Sequence, residues 1–215
     1  MATRKISFMV GEHYHLYTRG IEKRTIFLDV SDHEYFLFLM HICNTKKPIR
    51  MKALGEKFER GETIVDIGAY CLMPNHIHVL AYEKSEKGIS TYMLKLLTAY
   101  SMYFNLKYKR TGRLFESTFK SSHAGDDRYL KYLYAYIHLN PAKLIDKNWK
   151  ENPTKSLNDL TKFVFEYKYS SLQEYLKTGV GLKRKIINTG PFPAYFKNPI
   201  DHKRELFSWL VPPQG

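Results

Sequence analysis

The sequence predicts an α+β fold in which helices pack on an antiparallel sheet, and three observations carry this. Segments with the period-2 alternation of strands and segments with helical periodicity follow one another in the order strand, helix, strand, strand, helix. The two central strand segments are separated by Pro74-Asn75, a turn that makes them an antiparallel pair. No GxGxxG or P-loop glycine pattern occurs, so nothing marks a parallel nucleotide-binding sheet.

Residues His13 to Arg19 (HYHLYTR) are aromatic and alternating, a first strand ending at Gly20. Ser31-Asp32-His33-Glu34 has the capping-box pattern, with Ser31 as N-cap and Glu34 at N3. Phe36, Leu39, Met40 and Cys43 follow at helical spacing and take the first helix to about Asn44. Lys46 to Gly61 is basic, broken by Pro48, Gly55 and Gly61, and predicts no regular structure. Glu62 to Met73 is rich in β-formers and leads through the turn into a strand beginning at His76. After a loop at Lys84–Gly88, Met93, Leu96, Leu97, Tyr100 and Phe104 mark one face of a helix over Ile89 to about Lys107. A basic stretch follows, Lys107-Tyr108-Lys109-Arg110-Thr111-Gly112-Arg113-Leu114-Phe115, and then Phe119-Lys120. Asp126 or Asp127 caps a third helix, which Asn140-Pro141 stops after Leu139.

Beyond this point the chain changes character, so residues 1–146 are expected to form the main domain and 147–215 a C-terminal extension. Lys147 to Asn158 is polar and broken by Pro153, like a linker or surface insertion. Leu157 to Leu176 has room for one or two short helices. The tail from Gly179 carries Gly190, Pro191, Pro193, Pro199, Pro212-Pro213 and the cluster Lys183-Arg184-Lys185. It reads as an extension that packs loosely or grips a ligand's backbone.

Composition narrows the partners. With 44% hydrophobic and 15% aromatic residues, the 215-residue chain is globular and can bury a sizeable core. Lys and Arg outnumber Asp and Glu 34 to 21, and a net charge of +13 favours a polyanion, nucleic acid before an anionic membrane. The two cysteines, Cys43 and Cys71, lie in apolar periodic segments and read as reduced core thiols, which fits a cytoplasmic chain. No apolar run reaches the ~18 residues of a membrane span.

The chemistry centres on Leu72-Met73-Pro74-Asn75-His76-Ile77-His78-Val79-Leu80. Alternation sets His76 and His78 on one face of a strand, where two neutral ring nitrogens can hold a divalent cation. Spacing alone is weak, since a second pair, His13-Tyr14-His15, occurs in the same chain and reads better as structural or substrate-contacting. On the third helix, Tyr129, Tyr132, Tyr136 and Asn140 form a stripe beside the apolar face of Leu130, Leu133, Tyr134 and Ile137. Tyr129 and Tyr132 suit half-buried packing with wet tips. Tyr136 and Asn140, four residues apart, can address one point in space.

Tyr70-Cys71-Leu72-Met73-Pro74-Asn75-His76-Ile77-His78 and Tyr136-Ile137-His138-Leu139-Asn140-Pro141 resemble the two signatures of the single-tyrosine HUH transposases, the insertion-sequence-200-like family, and within it most of all the REP-associated tyrosine transposases. Tyr14-His15 with Arg19-Gly20, Gly112-Arg113-Leu114-Phe115 through Phe119-Lys120, and Tyr169-Ser170-Ser171 agree in the same order, so the resemblance covers about residues 13–175. Ala142-Lys143-Leu144-Ile145 departs from it by lacking the expected glycine, and an insertion precedes Tyr167. The resemblance implies a ferredoxin-like HUH nuclease fold. It implies Mg²⁺ or Mn²⁺ on His76, His78 and Asn140, and Tyr136 as the nucleophile toward DNA. The expected partner is single-stranded or hairpin DNA, with a homodimer as a further option and no membrane.

That chemistry is sensible in its own terms. A tyrosine with a pKa near 10 needs help to become a phenolate, and a cation on the scissile phosphate lowers the barrier to attack. One nucleophilic tyrosine without an ATP motif or a second carboxylate cluster fits strand transfer through a 5′-phosphotyrosine better than hydrolysis. Lys109, Arg110, Arg113, Phe115 and Lys120 are candidate DNA contacts, since basic and aromatic side chains hold phosphates and stack bases; a solvated loop with two core phenylalanines is the alternative. A catalytically silent hairpin-binding regulator of the same fold and a nuclease that uses water are the rival functions.

Overall fold

The structure is a computed structural model that describes residues 7–49, 60–176, 181–196 and 198–210. Its centre is a four-stranded antiparallel sheet of β1 (His13–Arg19), β2 (Val65–Met73), β3 (His76–Glu83) and β4 (Lys120–His123), in the order β2-β3-β1-β4. The helices are α1 (Val30–Ile42), α2 (Gly88–Lys107), α3 (Asp127–Leu139), α4 (Leu157–Glu166), α5 (Leu172–Leu176), α6 (Leu182–Ile186) and α7 (Pro199–Leu210). The predicted α+β class and the sequence order of its main elements are found in the structure.

Strand alternation divides the sheet into two working faces. Leu16, Tyr70, Leu72, Ile77, Val79 and Ala81 are buried with α1 and α2 in the largest core cluster, which includes Phe36, Met40, Tyr92, Leu96 and Tyr100. Ala69, Cys71, Met73 and Leu80 face the other way and pack with Leu130, Leu133, Tyr134 and Ile137 of α3. The histidines of β3 belong to this second face, because Met73 pairs with His76 and Cys71 with His78. So α3 is laid across the strand that carries them.

Local chemistry fixes the helix ends. The first helix begins two residues earlier than the Ser31 cap predicts. Asp29 is the N-cap, accepts from the Asp32 backbone N–H at 3.0 Å, and completes the capping box with Asp32 at N3. Ser31 sits inside the first turn and donates to Asp29 instead. Asp126 caps α3 by accepting from Tyr129 N–H at 2.8 Å. Helix α2 has no side-chain cap of its own. Glu83, from the end of β3, reaches over to accept from Ile89 N–H at 2.7 Å.

Two features were hidden in the sequence. The edge strand β4 is four residues of Lys, Ser, Ser and His, with no apolar alternation to announce it. The outer edge of β2 is covered by Tyr169-Ser170-Ser171. There Leu72 N–H donates to Tyr169 O and Ser171 N–H to Tyr70 O, which satisfies an edge that would otherwise be open.

The region after Asn140 packs more closely than a linker and loose tail would. Trp149 is buried, and Asp146 gathers backbone N–H groups of Asn148, Thr154 and Lys155 around its carboxylate. A third cluster joins Ala135, Leu139 and Ala142 to Leu160, Leu172, Leu206 and Leu210, across the expected boundary at 146/147. Phe192 lies on the α3 face of the sheet. Residues 50–59 of the basic segment, Gly179 and Pro212-Pro213 are outside the described residues.

Candidate active site

The site is built where β1, β3 and α3 meet. Antiparallel pairing sets Tyr17 opposite His78 and Arg19 opposite His76, and places His15 diagonally from His78 on the same face. Helix α3 brings Tyr136 over them. Its ring stands edge-on to His78 at 5.4 Å between centroids, and to His15 at 5.7 Å. A cleft of about 320 Å³ lies here, lined by Tyr17, Arg19, His76, His78, Lys120 and Tyr136 among others.

Each imidazole has one nitrogen engaged by protein. His76 Nδ1 is 2.7 Å from Asn75 Oδ1, while Asn75 Nδ2 donates to Lys23 O at 3.0 Å. That second bond fixes the amide orientation, so Asn75 Oδ1 accepts and His76 Nδ1 carries the proton. The His76 Nε2 lone pair is left for a ligand. His78 Nδ1 is 2.8 Å from His15 Nε2, and Nε2 is its remaining nitrogen. Burial keeps all three rings neutral: it lowers His15 and His76 to about 4, with Lys143 and Arg19 adding to the effect at His76, and takes His78 well below its ordinary value.

Asn140 opens the 3₁₀ turn Asn140–Leu144 that follows α3. Its Nδ2 donates to the Tyr136 backbone carbonyl at 2.8 Å, and its Oδ1 is buried with no protein partner. An orphaned amide oxygen one turn from Tyr136 and the free Nε2 lone pairs of His76 and His78 are donors of the kind that suit a divalent cation. Among the described residues no group of three or more His, Cys, Asp or Glu side chains could hold a metal ion.

Tyr136 is partly buried. Burial raises its phenol above the ordinary value, and the Asn140 side chain opposes that shift. Two lysines that the sequence reading passed over flank the ring. Lys143 Nζ lies 5.6 Å and Lys150 Nζ 5.8 Å from its centroid. Burial, with Lys150 nearby, holds Lys143 below the ordinary lysine value. The Asn140-Pro141 stop turns the chain so that Lys143 comes back toward the site, whereas no pattern in the sequence marks Lys150.

The candidate DNA contacts separate. Lys120 lines the cleft itself. Lys109 and Arg113 are exposed in the loop after α2; Arg113 borders a groove along that helix, and Arg110 donates to Asn105 and lies over the Phe104 ring. Phe115 is a correction. It is only 6% exposed and packs toward Tyr100 in the core, so little of its ring is left to stack on a base. Arg19, which pairs with Glu116 at 2.7 Å, and Tyr17 occupy the cleft in its place.

The other resemblance motifs have structural work near the site. Gly20 N–H donates to Asn75 O, and Ile21 N–H to Leu114 O, joining the His76 turn to the 112–119 loop. A Cβ at Gly20 would stand 2.3 Å from Arg24 O, so glycine is needed for that close approach.

The family model described as "Transposase IS200 like" matches residues 42–140, the span from the end of α1 through both histidines and Tyr136 to Asn140. Over that span the chain is similar to the IS200-like transposase family. The same fold is found in a solved structure titled "Structure of the REP associates tyrosine transposase bound to a REP hairpin", with a TM-score of 0.54 and 11% identity over 85% of this chain and 90% of that one. No curated protein matches the chain. The matched span ends at Asn140, the amide whose oxygen is left unpaired. No helix among the described residues is long and apolar enough to cross a membrane.

Proposed function

We propose that this protein is a metal-dependent single-stranded DNA transposase and endonuclease, which cleaves and rejoins DNA near hairpins through a 5′-phosphotyrosine on Tyr136. One observation carries the reading. The Tyr136 ring meets the His78 ring edge-on at 5.4 Å in a cleft shared with His76, and Asn140, whose Oδ1 is unpaired, is tied to the Tyr136 backbone.

Mg²⁺ or Mn²⁺ on His76, His78 and Asn140 would neutralise charge on the scissile phosphate and polarise phosphorus. The protein supplies the rest. Tyr136 Oη attacks phosphorus and loses its proton; the bond from phosphorus to the 3′ oxygen breaks, and that oxygen leaves as a 3′-hydroxyl. The new bond joins Tyr136 to the 5′-phosphate, and its energy is retained for rejoining by the reverse step. Lys143 and Lys150 favour the phenolate by charge, opposing the burial that raises the phenol. Arg19 and Lys120 hold the flanking phosphates, and Tyr17 offers a ring to a neighbouring base. The partner is single-stranded or hairpin DNA, and the buried free thiols Cys43 and Cys71 fit a cytoplasmic protein.

The test is one denaturing gel. Wild type, Mn²⁺ and a hairpin-bearing single strand labelled on the 3′ side of the cut should give a protein–DNA adduct, and Tyr136→Phe should give none while still binding DNA. Tyr132→Phe and Tyr134→Phe should retain it. An adduct that survives in Tyr136→Phe overturns the assignment of the nucleophile. A free 5′-phosphate without an adduct means that water attacks, and binding without cleavage means a regulator.

A further inference from the structure

The shared hydrogen bond between His15 and His78 has a chemical direction. A neutral imidazole carries one ring proton, so of two neutral rings joined by one N–H···N bond, one donates and the other accepts. Nε2 of His15 and Nδ1 of His78 are 2.8 Å apart. The ring planes are only 20° apart at a centroid distance of 5.0 Å, the edge-to-edge arrangement such a bond needs. If His15 donated, the single proton of His78 would sit on Nε2, and no lone pair would remain for a cation. If His15 accepts, His78 carries its proton on Nδ1, and Nε2 is free. His76 is already in that state, because its Nδ1 proton is committed to Asn75 Oδ1. The two strand histidines then present matching Nε2 lone pairs only when His15 is the acceptor.

We infer that His15 is a positioning residue that sets the Nδ1–H tautomer of His78 and aims its Nε2 lone pair at the cation site. This deepens the proposed function and rests on it, since the cation decides which ring donates, while the tautomer itself is read without metal. Metal-binding histidines ordinarily donate their second nitrogen to a carboxylate, backbone carbonyl or water. Here the acceptor is a third histidine, supplied by the first strand. The ring is 6% exposed, wedged between β3 and α3 with Tyr17 and Tyr136 against it, so its orientation is held by packing. His13, its partner in the first His-x-His pair, points elsewhere on the same face: its Nε2 meets Pro191 O, and its ring meets Phe192. Only one member of that pair serves the site.

The experiment reads the tautomer directly in metal-free protein. Long-range ¹⁵N–¹H correlation of histidine-labelled wild type should show His78 protonated at Nδ1 and His15 accepting at Nε2. His15→Phe should move the His78 proton toward Nε2, and His15→Gln, whose side-chain carbonyl can accept, should keep it on Nδ1. Mn²⁺ titration followed by electron paramagnetic resonance should show affinity weakened about 10-fold or more in His15→Phe, with most of it restored in His15→Gln. A wild-type spectrum with His78 protonated at Nε2 overturns the inference, and so does a His15→Phe protein with unchanged tautomer and Mn²⁺ affinity. Should His15→Phe fail to fold, the wild-type and His15→Gln spectra decide. A wild type that binds no Mn²⁺ removes the cation from the proposed function, and the tautomer measurement still judges His15.

Discussion

Asn140 is tied by its amide nitrogen to the carbonyl of Tyr136, 2.8 Å away, and this tie leaves the amide oxygen buried and unpaired. Tyr136 and Asn140, the proposed nucleophile and metal ligand, are thus held as one unit across a single helical turn. Asn140→Ala removes both the tie and the oxygen. Calorimetric titration should then show Mn²⁺ affinity at least about 10-fold weaker, while the loss of one side-chain hydrogen bond costs about 1 kcal/mol of stability. Unchanged affinity would mean that the amide is a helix stop and nothing more.

The lysines beside Tyr136 should show in the salt dependence of binding. Each phosphate contact to a single strand contributes about 0.7 to the slope of log K against log salt. Lys143→Gln with Lys150→Gln should flatten that slope by about 1.4 if each lysine holds one phosphate. Arg110→Ala with Arg113→Ala tests the loop after α2 separately. A slope that stays the same in the second pair removes that loop from the interface and leaves the cleft basic groups, Arg19 and Lys120, as the backbone contacts.

Acid should weaken the fold before carboxylates come into play. His15, His76 and His202 are lowered to about 4 by burial, so between pH 6.5 and 4 the unfolded chain binds more protons than the folded one. Stability is therefore complete above about 6.5 and falls as pH drops toward 4, by up to about 1.4 kcal/mol per pH unit for each histidine in that window. Urea midpoints measured across pH 7.5 to 4.5 check this; a flat midpoint would show that these rings are not held neutral in the fold.

The parts legible in the sequence were those with period and punctuation. The first strand is read to the residue, because His13 to Arg19 alternates and Gly20 ends it. Tyr136 and Asn140 were legible because helical spacing places them together and Asn140-Pro141 ends the helix. Strand β4 was not legible, since an edge strand of polar residues is defined by its pairing with β1 and not by its own pattern. His15 was visible as half of a repeated His-x-His, but its bond to His78 joins residues 63 positions apart and needs the strand register. Phe115 misled because an aromatic among basic residues looks alike in a loop and in a core. The tail misled in the opposite sense: its prolines and glycines read as loose chain, yet Phe192 is a core residue.

That docking gives a last prediction. A Cβ at Gly68 would stand 2.7 Å from the Phe192 ring, so the tail's aromatic lies directly on the bare backbone of β2 beside the register shift at Ile67/Ala69. The same ring meets Tyr134 of α3 edge-on, at 6.3 Å. Phe192 therefore fills the space between the sheet and the helix that carries Tyr136. Phe192→Ala should cost about 3 kcal/mol, the low end for a buried phenylalanine because the ring keeps 6% exposure. Gly68→Ala should destabilise as well, since the methyl group displaces the ring. The two effects should not add: once Phe192 is Ala, the methyl at 68 has nothing to strike, and a double-mutant cycle should return a coupling of about 1 kcal/mol or more. Additive losses would show that the ring does not sit on Gly68 in solution. Adduct formation by Phe192→Ala, measured well below its melting temperature, should stay within the range of wild type, because the ring touches the far side of α3 from Tyr136. A large loss of adduct in a folded Phe192→Ala protein would instead mean that the tail sets the position of the nucleophile.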